Sequence, residues 1–220
     1  MQDDFIYQPP DCPIAILYAD KDVLIAEKPS GLLSVPGRGV DRQDSMLTRL
    51  QREEPRVRVV HRLDMDTSGI MVFALRKKAE VSLRKQFQNR TVVKGYKAVV
   101  QGILKESKGV IDAPIGPDPT RNLRHHISSS GKTAQTKYKV LAEGDNYSIL
   151  ELQPITGRSH QIRVHLDYLG HPILGDRFYA SPEALQRASR LLLHAETIRF
   201  IQPYSGEELS FVIPNSFPVL

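Results

Sequence analysis

Apolar residues along this chain fall mostly in short runs suited to strands, with helical spacing at a few places only. Residues 14–18 and 23–27 read as two strands around the turn Ala19-Asp20-Lys21-Asp22, so a hairpin opens the fold. Lys28-Pro29-Ser30-Gly31 ends the second strand and Pro36-Gly37-Arg38-Gly39 ends the apolar run after it. Proline has no ladder donor and glycine accepts positive φ. Residues 45–53 and 77–89 have helical spacing, with Val81, Leu83 and Phe87 assigned to one face of the second helix. Residues 70–75, 95–101, 136–141 and 148–152 read as strands, rich in aliphatic, aromatic or β-branched side chains. Residues 160–169 fit a helix with Ile162, Leu166 and Leu169 on one side. Residues 182–189 fit another, opened by Ser181 as N-cap, before strands return at 196–201 and 208–213.

Two stretches fall outside that pattern. Residues 1–13 read as a loose arm, leaving 14–220 as one domain with no internal repeat and no interdomain linker. Residues 114–132, rich in Pro, Ser and Gly and carrying Arg121, Arg124, His125, His126 and Lys132, read as a mobile basic loop. Composition changes the picture little: 40% hydrophobic and 25% charged residues are those of an ordinary globular protein. Thirty Lys and Arg against 25 Asp and Glu give a net charge of +5, which favours polyanionic partners but equally suits mere solubility. Cys12 is the single cysteine and can form no internal disulfide, which fits a reducing cytoplasm. The start of the chain has acids and prolines where a signal peptide needs a basic, then apolar run, and no 18-residue apolar stretch occurs, so neither export nor membrane insertion is expected.

Two segments could carry chemistry. Val59-Val60-His61-Arg62-Leu63-Asp64-Met65-Asp66-Thr67-Ser68-Gly69 sets polar residues between two apolar runs. It is either a turn capped by its aspartates or a loop on which Arg62 and Asp64 are held near buried structure, where unpaired charge is costly. Residues 154–165 (PITGRSHQIRVH) join a strand to a helix. They are either a helix start capped by Thr156 or Ser159 with surface arginines, or a cationic site at which Arg158 or Arg163 holds a phosphate or carboxylate.

These residues bear a family resemblance. HRLDMDTSG at 61–69 and GRSHQIRVHL at 157–166 resemble two long signature motifs of the RluA-type pseudouridine synthases. The likeness continues through residues 28–38 (KPSGLLSVPGR), Lys94-Gly95-Tyr96, 131–136 (GKTAQT), 171–176 (HPILGD) and 191–195 (LLLHA), so that it covers nearly the whole chain. The short arm and residues 175–184 look most like members that modify both large-subunit ribosomal RNA and a tRNA anticodon loop. Asn122-Leu123-Arg124-His125-His126 departs from the run usual in relatives.

The resemblance implies an α+β fold with a mixed, mainly antiparallel central sheet, flanking helices and a central catalytic cleft. It implies an isomerase that turns uridine into pseudouridine in structured RNA, without cofactor or metal. Asp64 would be the catalytic carboxylate, Arg163 its paired cation, and Tyr96 the ring that stacks on uracil. Arg62 would fill the place of the flipped base, while Arg38, Arg121, Arg124 and Lys132 hold the backbone, with His61 and Arg158 also at the substrate. His61, His160, His165 and His194 lack the spacing of a metal site and are read as hydrogen-bonding groups. The expected partners are ribosomal RNA and tRNA stem-loops; no DNA and no membrane are expected, and the chain is expected to be a cytoplasmic monomer. The rival readings are a non-catalytic RNA-binding module, a base-releasing nucleoside hydrolase, and a synthase with a different ribosomal target.

Overall fold

The computed structural model describes residues 6–215 and 217. The chain divides into two compact units, residues 1–92 with 200–209, and residues 93–199 with 210–220.

The first unit opens with the expected hairpin, β1 (Ile16–Ala19) antiparallel to β2 (Val23–Lys28). Its turn is held by the Asp20 carboxylate, which accepts the N–H groups of Asp22 and Val23, both at 2.7 Å. Helix α1 (Met46–Glu53) starts in a capping box in which Ser45 and Thr48 exchange side-chain and backbone bonds. After β3 (Arg58–Val59) comes β4 (Ser68–Ala74), buried along its whole length, which pairs antiparallel with both β2 and β3. A strand covered on both faces explains why 70–75 is continuously apolar.

Helix α2 (Lys77–Gln88) buries Ala79, Glu80 and Leu83, while Val81 is 57% exposed. Val81 and Leu83 were expected on one face, but two positions are about 200° apart around a helix. The described part of the arm has neither strand nor helix, yet it is not loose. Tyr7 is buried and its hydroxyl donates to the Asp44 carbonyl and accepts from Leu33 N–H, both at 2.9 Å. Arg49 donates to the carbonyls of Pro10 and Cys12.

In the second unit β5 (Val93–Gln101) is followed by β6 (Lys108–Asp112), β7 (Ile115–Pro117), β8 (His125–Ile127), β9 (Gln135–Gly144) and β10 (Tyr147–Pro154). Then come helices α3 (Gln161–Tyr168) and α4 (Pro182–Gln186), β11 (Leu193–Ile201) and β12 (Glu208–Val212). Strands run β11-β5-β10-β9-β6 with every pairing antiparallel, and β12 adds to β11. This is the α+β, mainly antiparallel class expected. The stretch expected as an irregular mobile loop instead contains an ordered hairpin, β7 antiparallel to β8, with Lys132 bridged to Ile115 beside it. Helix α4 stops at Gln186, three residues short of the expected end.

The core of this unit gathers Ala98, Val100, Leu150, Leu152, Leu166 and Leu192. Helix α3 is buried from Gln161 through Leu166. Within it His165 is fully buried: Nε2 lies 3.0 Å from the Ala113 carbonyl and Nδ1 2.9 Å from Thr136 Oγ1. A carbonyl only accepts, so Nε2 carries the proton and the neutral ring takes the threonine proton at Nδ1. No helix among the described residues is long and apolar enough to cross a membrane.

Burial holds the pKa of His165 below its ordinary value, although the Ala113 bond and Asp112 oppose this. The unfolded chain therefore binds more protons as pH falls through about 6.5, and stability is lost on that side. His165→Gln should flatten the acid decline in unfolding free energy between pH 6.5 and 5, followed by urea denaturation. An unchanged slope would assign the decline to other groups.

Candidate active site

Residues 61–69 join β3 to β4, and what holds them is residues 28–34 of the same unit. Lys28 ends β2 with no exposed surface. Its Nζ donates to the carbonyls of Pro29 at 2.9 Å, Leu32 at 2.7 Å and Met65 at 2.7 Å. An ammonium has three protons, and each has a carbonyl. Burial pushes the group down to about 7, while Asp66 and Asp64 push it back up.

Around Lys28, Gly31 N–H donates to the Met65 carbonyl at 3.0 Å from a backbone with φ of 85°, a conformation that favours glycine. Ser30 Oγ donates to the Asp66 carbonyl at 2.6 Å. Ser34 Oγ donates to the Leu63 carbonyl at 2.7 Å and accepts its N–H at 3.1 Å. Thr67 N–H closes the turn onto the Asp64 carbonyl. The main chain is thus fixed on both sides of Asp64, which is itself half-buried.

His61 begins the loop. Its Nε2 accepts Val72 N–H at 2.9 Å, so the proton sits on Nδ1, and its ring stacks on Phe87 with centroids 4.5 Å apart. Expected at the substrate, it is placed where it ties the loop to β4 and α2. Arg62 and Arg38 are exposed.

In the second unit Tyr96 is half-buried on β5, opposite Leu152 of β10 and Ala195 of β11. The register shifts between Ala195 and Thr197, so a bulge lies directly beside it. Bulges commonly re-aim a side chain next to a site.

Arg163, 2% exposed, forms a two-pronged ion pair with the fully buried Asp176: Nε to Oδ2 and Nη2 to Oδ1, each at 2.7 Å. Asp176 also accepts the N–H groups of Phe178 and Tyr179. The rings of those two residues stand 5.1 and 5.2 Å from the guanidinium carbon, within cation–π range. The Tyr179 hydroxyl in turn accepts His125 N–H and is hydrogen-bonded to His160 Nδ1 at 2.7 Å. His160 precedes α3 with φ of 55°, a left-handed conformation that costs energy outside glycine. Neither Thr156 nor Ser159 caps the helix; the Gln161 side-chain amide oxygen Oε1 accepts Arg158 N–H instead.

Of the basic residues, Arg124 shares the Phe178 ring at 5.6 Å, and Arg121 is exposed. Lys132 and Arg158 line one groove between the β7–β8 hairpin and residues 157–159. The four histidines weighed as metal ligands hydrogen-bond to protein atoms, His194 to the Ile213 carbonyl. Among the described residues no group of three or more His, Cys, Asp or Glu gathers. Lys28, Ser30, Ser34, Asp176 and Tyr179 hold these segments in place, and the residue pattern assigns none of them a role. The motifs at 28–38 and 171–176 and the run 175–184 contain these residues, but a likeness in motif does not say which of its side chains hold others in place.

Residues 22–168 match the RNA pseudouridylate synthase family model, so the chain belongs to that family. It is an isomerase that converts uridine in RNA to pseudouridine. It is 50% identical over 214 residues to the dual-specificity RNA pseudouridine synthase RluA of Salmonella typhimurium, which covers 96% of this chain and 98% of that protein. The RluA of Vibrio vulnificus is 46% identical over 218 residues, covering 96% and 87%. Among solved structures, human RNA pseudouridylate synthase domain containing 1 superposes with a TM-score of 0.80 at 32% identity, covering 94% of this chain and 86% of that one.

Lys28→Met should cost at least about 2 kcal/mol in urea unfolding, because three carbonyls lose their donor in a buried place. A variant of wild-type stability would show that solvent replaces the ammonium. Asp176→Asn should cost about 3–5 kcal/mol, as breaking one side of a buried ion pair does. In whatever fraction remains folded it should also lower kcat more than it raises KM; intact kcat would mean that the pair serves stability alone.

Proposed function

We propose that this enzyme modifies uridines in two kinds of folded RNA, a large-subunit ribosomal RNA hairpin and a tRNA anticodon loop, as a cytoplasmic monomer. The observation that carries this reading is the near-complete alignment with synthases named for dual specificity, 96% of this chain on 98% of the relative.

Asp64 is proposed as the catalytic carboxylate. Isomerisation breaks the N-glycosidic bond, turns the uracil and rejoins it through carbon without losing the base to water. An ionised carboxylate suits an attack on the sugar, stabilisation of an oxocarbenium-like centre, or removal of a sugar proton. The clamp on residues 63, 65 and 66 supports the role, since a group that acts through its position must not drift. Tyr96 is proposed to stack on the uracil, and Arg163 to supply the cation that keeps the site's carboxylate ionised. The exposed Arg62 is proposed to take the place of the extruded base, a few kcal/mol of lost stacking being offset by contacts in the pocket. These residues need no cofactor for the chemistry assigned to them.

Incubating the purified protein with an anticodon stem-loop and a ribosomal hairpin, followed by nucleoside analysis, tests the reading. Wild type should form pseudouridine in both, and Asp64→Asn should form none while still binding RNA. Product in one RNA only would reduce the proposal to a single-substrate enzyme, and free uracil as the main product would replace it with a hydrolase.

A further inference from the structure

Cations that this chain withdraws from water have acceptors to meet them. Lys28 has three carbonyls, Arg49 has Asp44, Lys97 has Glu196 and Arg163 has Asp176. Lys94, half-buried on β5, differs: among the described residues its Nζ makes no hydrogen bond and no ion pair. Burial holds its pKa below the ordinary lysine value, and no neighbouring charge opposes that. An ammonium stripped of water and given no acceptor is a standing cost to the fold. Such a cost marks a place where the missing negative charge comes with a ligand.

The position of Lys94 says which part of a ligand that is. Lys94 and Tyr96 are two residues apart on one strand, so both side chains leave the same face, roughly 6.6 Å apart. Between them Gly95 faces the other way and lies so close to β11 that an added Cβ would collide with Thr197 Oγ1, which fixes the strand where the two side chains depart. Lys94 Nζ reaches as far as Gly157, ahead of α3, where even a Cβ would stand 3.8 Å from it. A longer side chain at 157 would crowd the ammonium, and glycine leaves it open.

We propose that Lys94 is a further catalytic residue, whose ammonium donates a hydrogen bond to a carbonyl oxygen of the detached uracil. The inference rests on the reading above, in which uracil stacks on Tyr96. Whichever way the carboxylate acts on the sugar, the C1′–N1 bond breaks with its electron pair going to uracil. The base then carries a negative charge, shared by N1, O2 and O4, until C5 bonds to C1′. The C5 proton afterwards leaves and N1 takes one up, so Lys94 need transfer none. A donor whose acceptor gains its charge only as the bond breaks holds the transition state more tightly than the bound uridine, which is the condition for raising kcat.

Lys94→Met tests this, with Lys94→Arg beside it. In single turnover on an anticodon stem-loop, pseudouridine formation by Lys94→Met should slow on the order of 10²–10³-fold, as when one donor to a developing oxyanion is removed. Kd from filter binding and the slope of log affinity against log salt should stay at wild-type values. Lys94→Arg, which keeps a cation with another shape, should react about tenfold faster than Lys94→Met. The urea midpoint of Lys94→Met should be no lower than that of wild type, because the charge removed has no partner to lose. A wild-type rate in Lys94→Met, equal rates in the two variants, or a lowered midpoint would each overturn the proposal. So would a salt slope reduced by about 0.7–0.9 with the rate retained, since Lys94 would then hold a phosphate. Wild type forming no pseudouridine would remove the catalytic reading itself, whereas an active wild type with an equally active Lys94→Met removes this inference alone.

Discussion

A lysine ammonium with no exposed surface is the constraint on which the first unit turns. Taking such a charge out of water costs several kcal/mol unless its protons are taken up. In this chain the main chain of three residues takes them, one of which, Met65, adjoins Asp64. The cost of burial is thereby converted into an obligation on the backbone: residues 28–34 and 61–69 are held together or the ammonium is left unsatisfied. Ser30, Gly31 and Ser34 add bonds of ordinary strength to the same seam. A turn of nine residues, with little apolar surface of its own, acquires the rigidity of the buried strand beside it.

The second unit solves a similar problem by other means. Arg163 is long and flexible, and its direction comes from a planar fork matched to the two oxygens of Asp176, with the Phe178 and Tyr179 rings close to it. The Asp176 carboxylate is in turn oriented by backbone N–H groups of the following residues. Tyr179 then carries the order outward, to the left-handed His160 at the start of α3 and to the first residue of β8. One carboxylate and one phenol therefore set the positions of a helix start, a hairpin and a guanidinium.

Much of this fold can be read directly from residue pattern, and the misses have physical reasons. The continuous runs of β2 and β4 announce strands covered on both sides, and Ser181 marks its helix as written. Strand β6 (KGVID) is polar and largely exposed at the end of the sheet order, so it lacks the apolar signal that periodicity needs. Strands β7 and β8 are three residues each, set in a proline- and glycine-rich stretch whose composition points to irregular chain. Motif residues such as Asp64 in the first unit and Arg163 in the second stand out, whereas the residues that hold them do not. Lys-Pro-Ser-Gly reads locally as a turn, and a lysine is ordinarily solvated. Nothing nearby discloses that one of its acceptors is 37 positions away.

The tip of the β7–β8 hairpin has a consequence beyond chemistry. Residues 119–123 are exposed and contribute nothing to the buried core, while the strands beneath them are secured through Tyr179 and the Ile115–Lys132 bridge. Insertions or exchanges at such a tip leave the packed interior untouched. A change of sequence at residues 119–123 therefore meets no packing constraint, whereas residues 28–34 and 61–69 are bound to one buried ammonium and tolerate little.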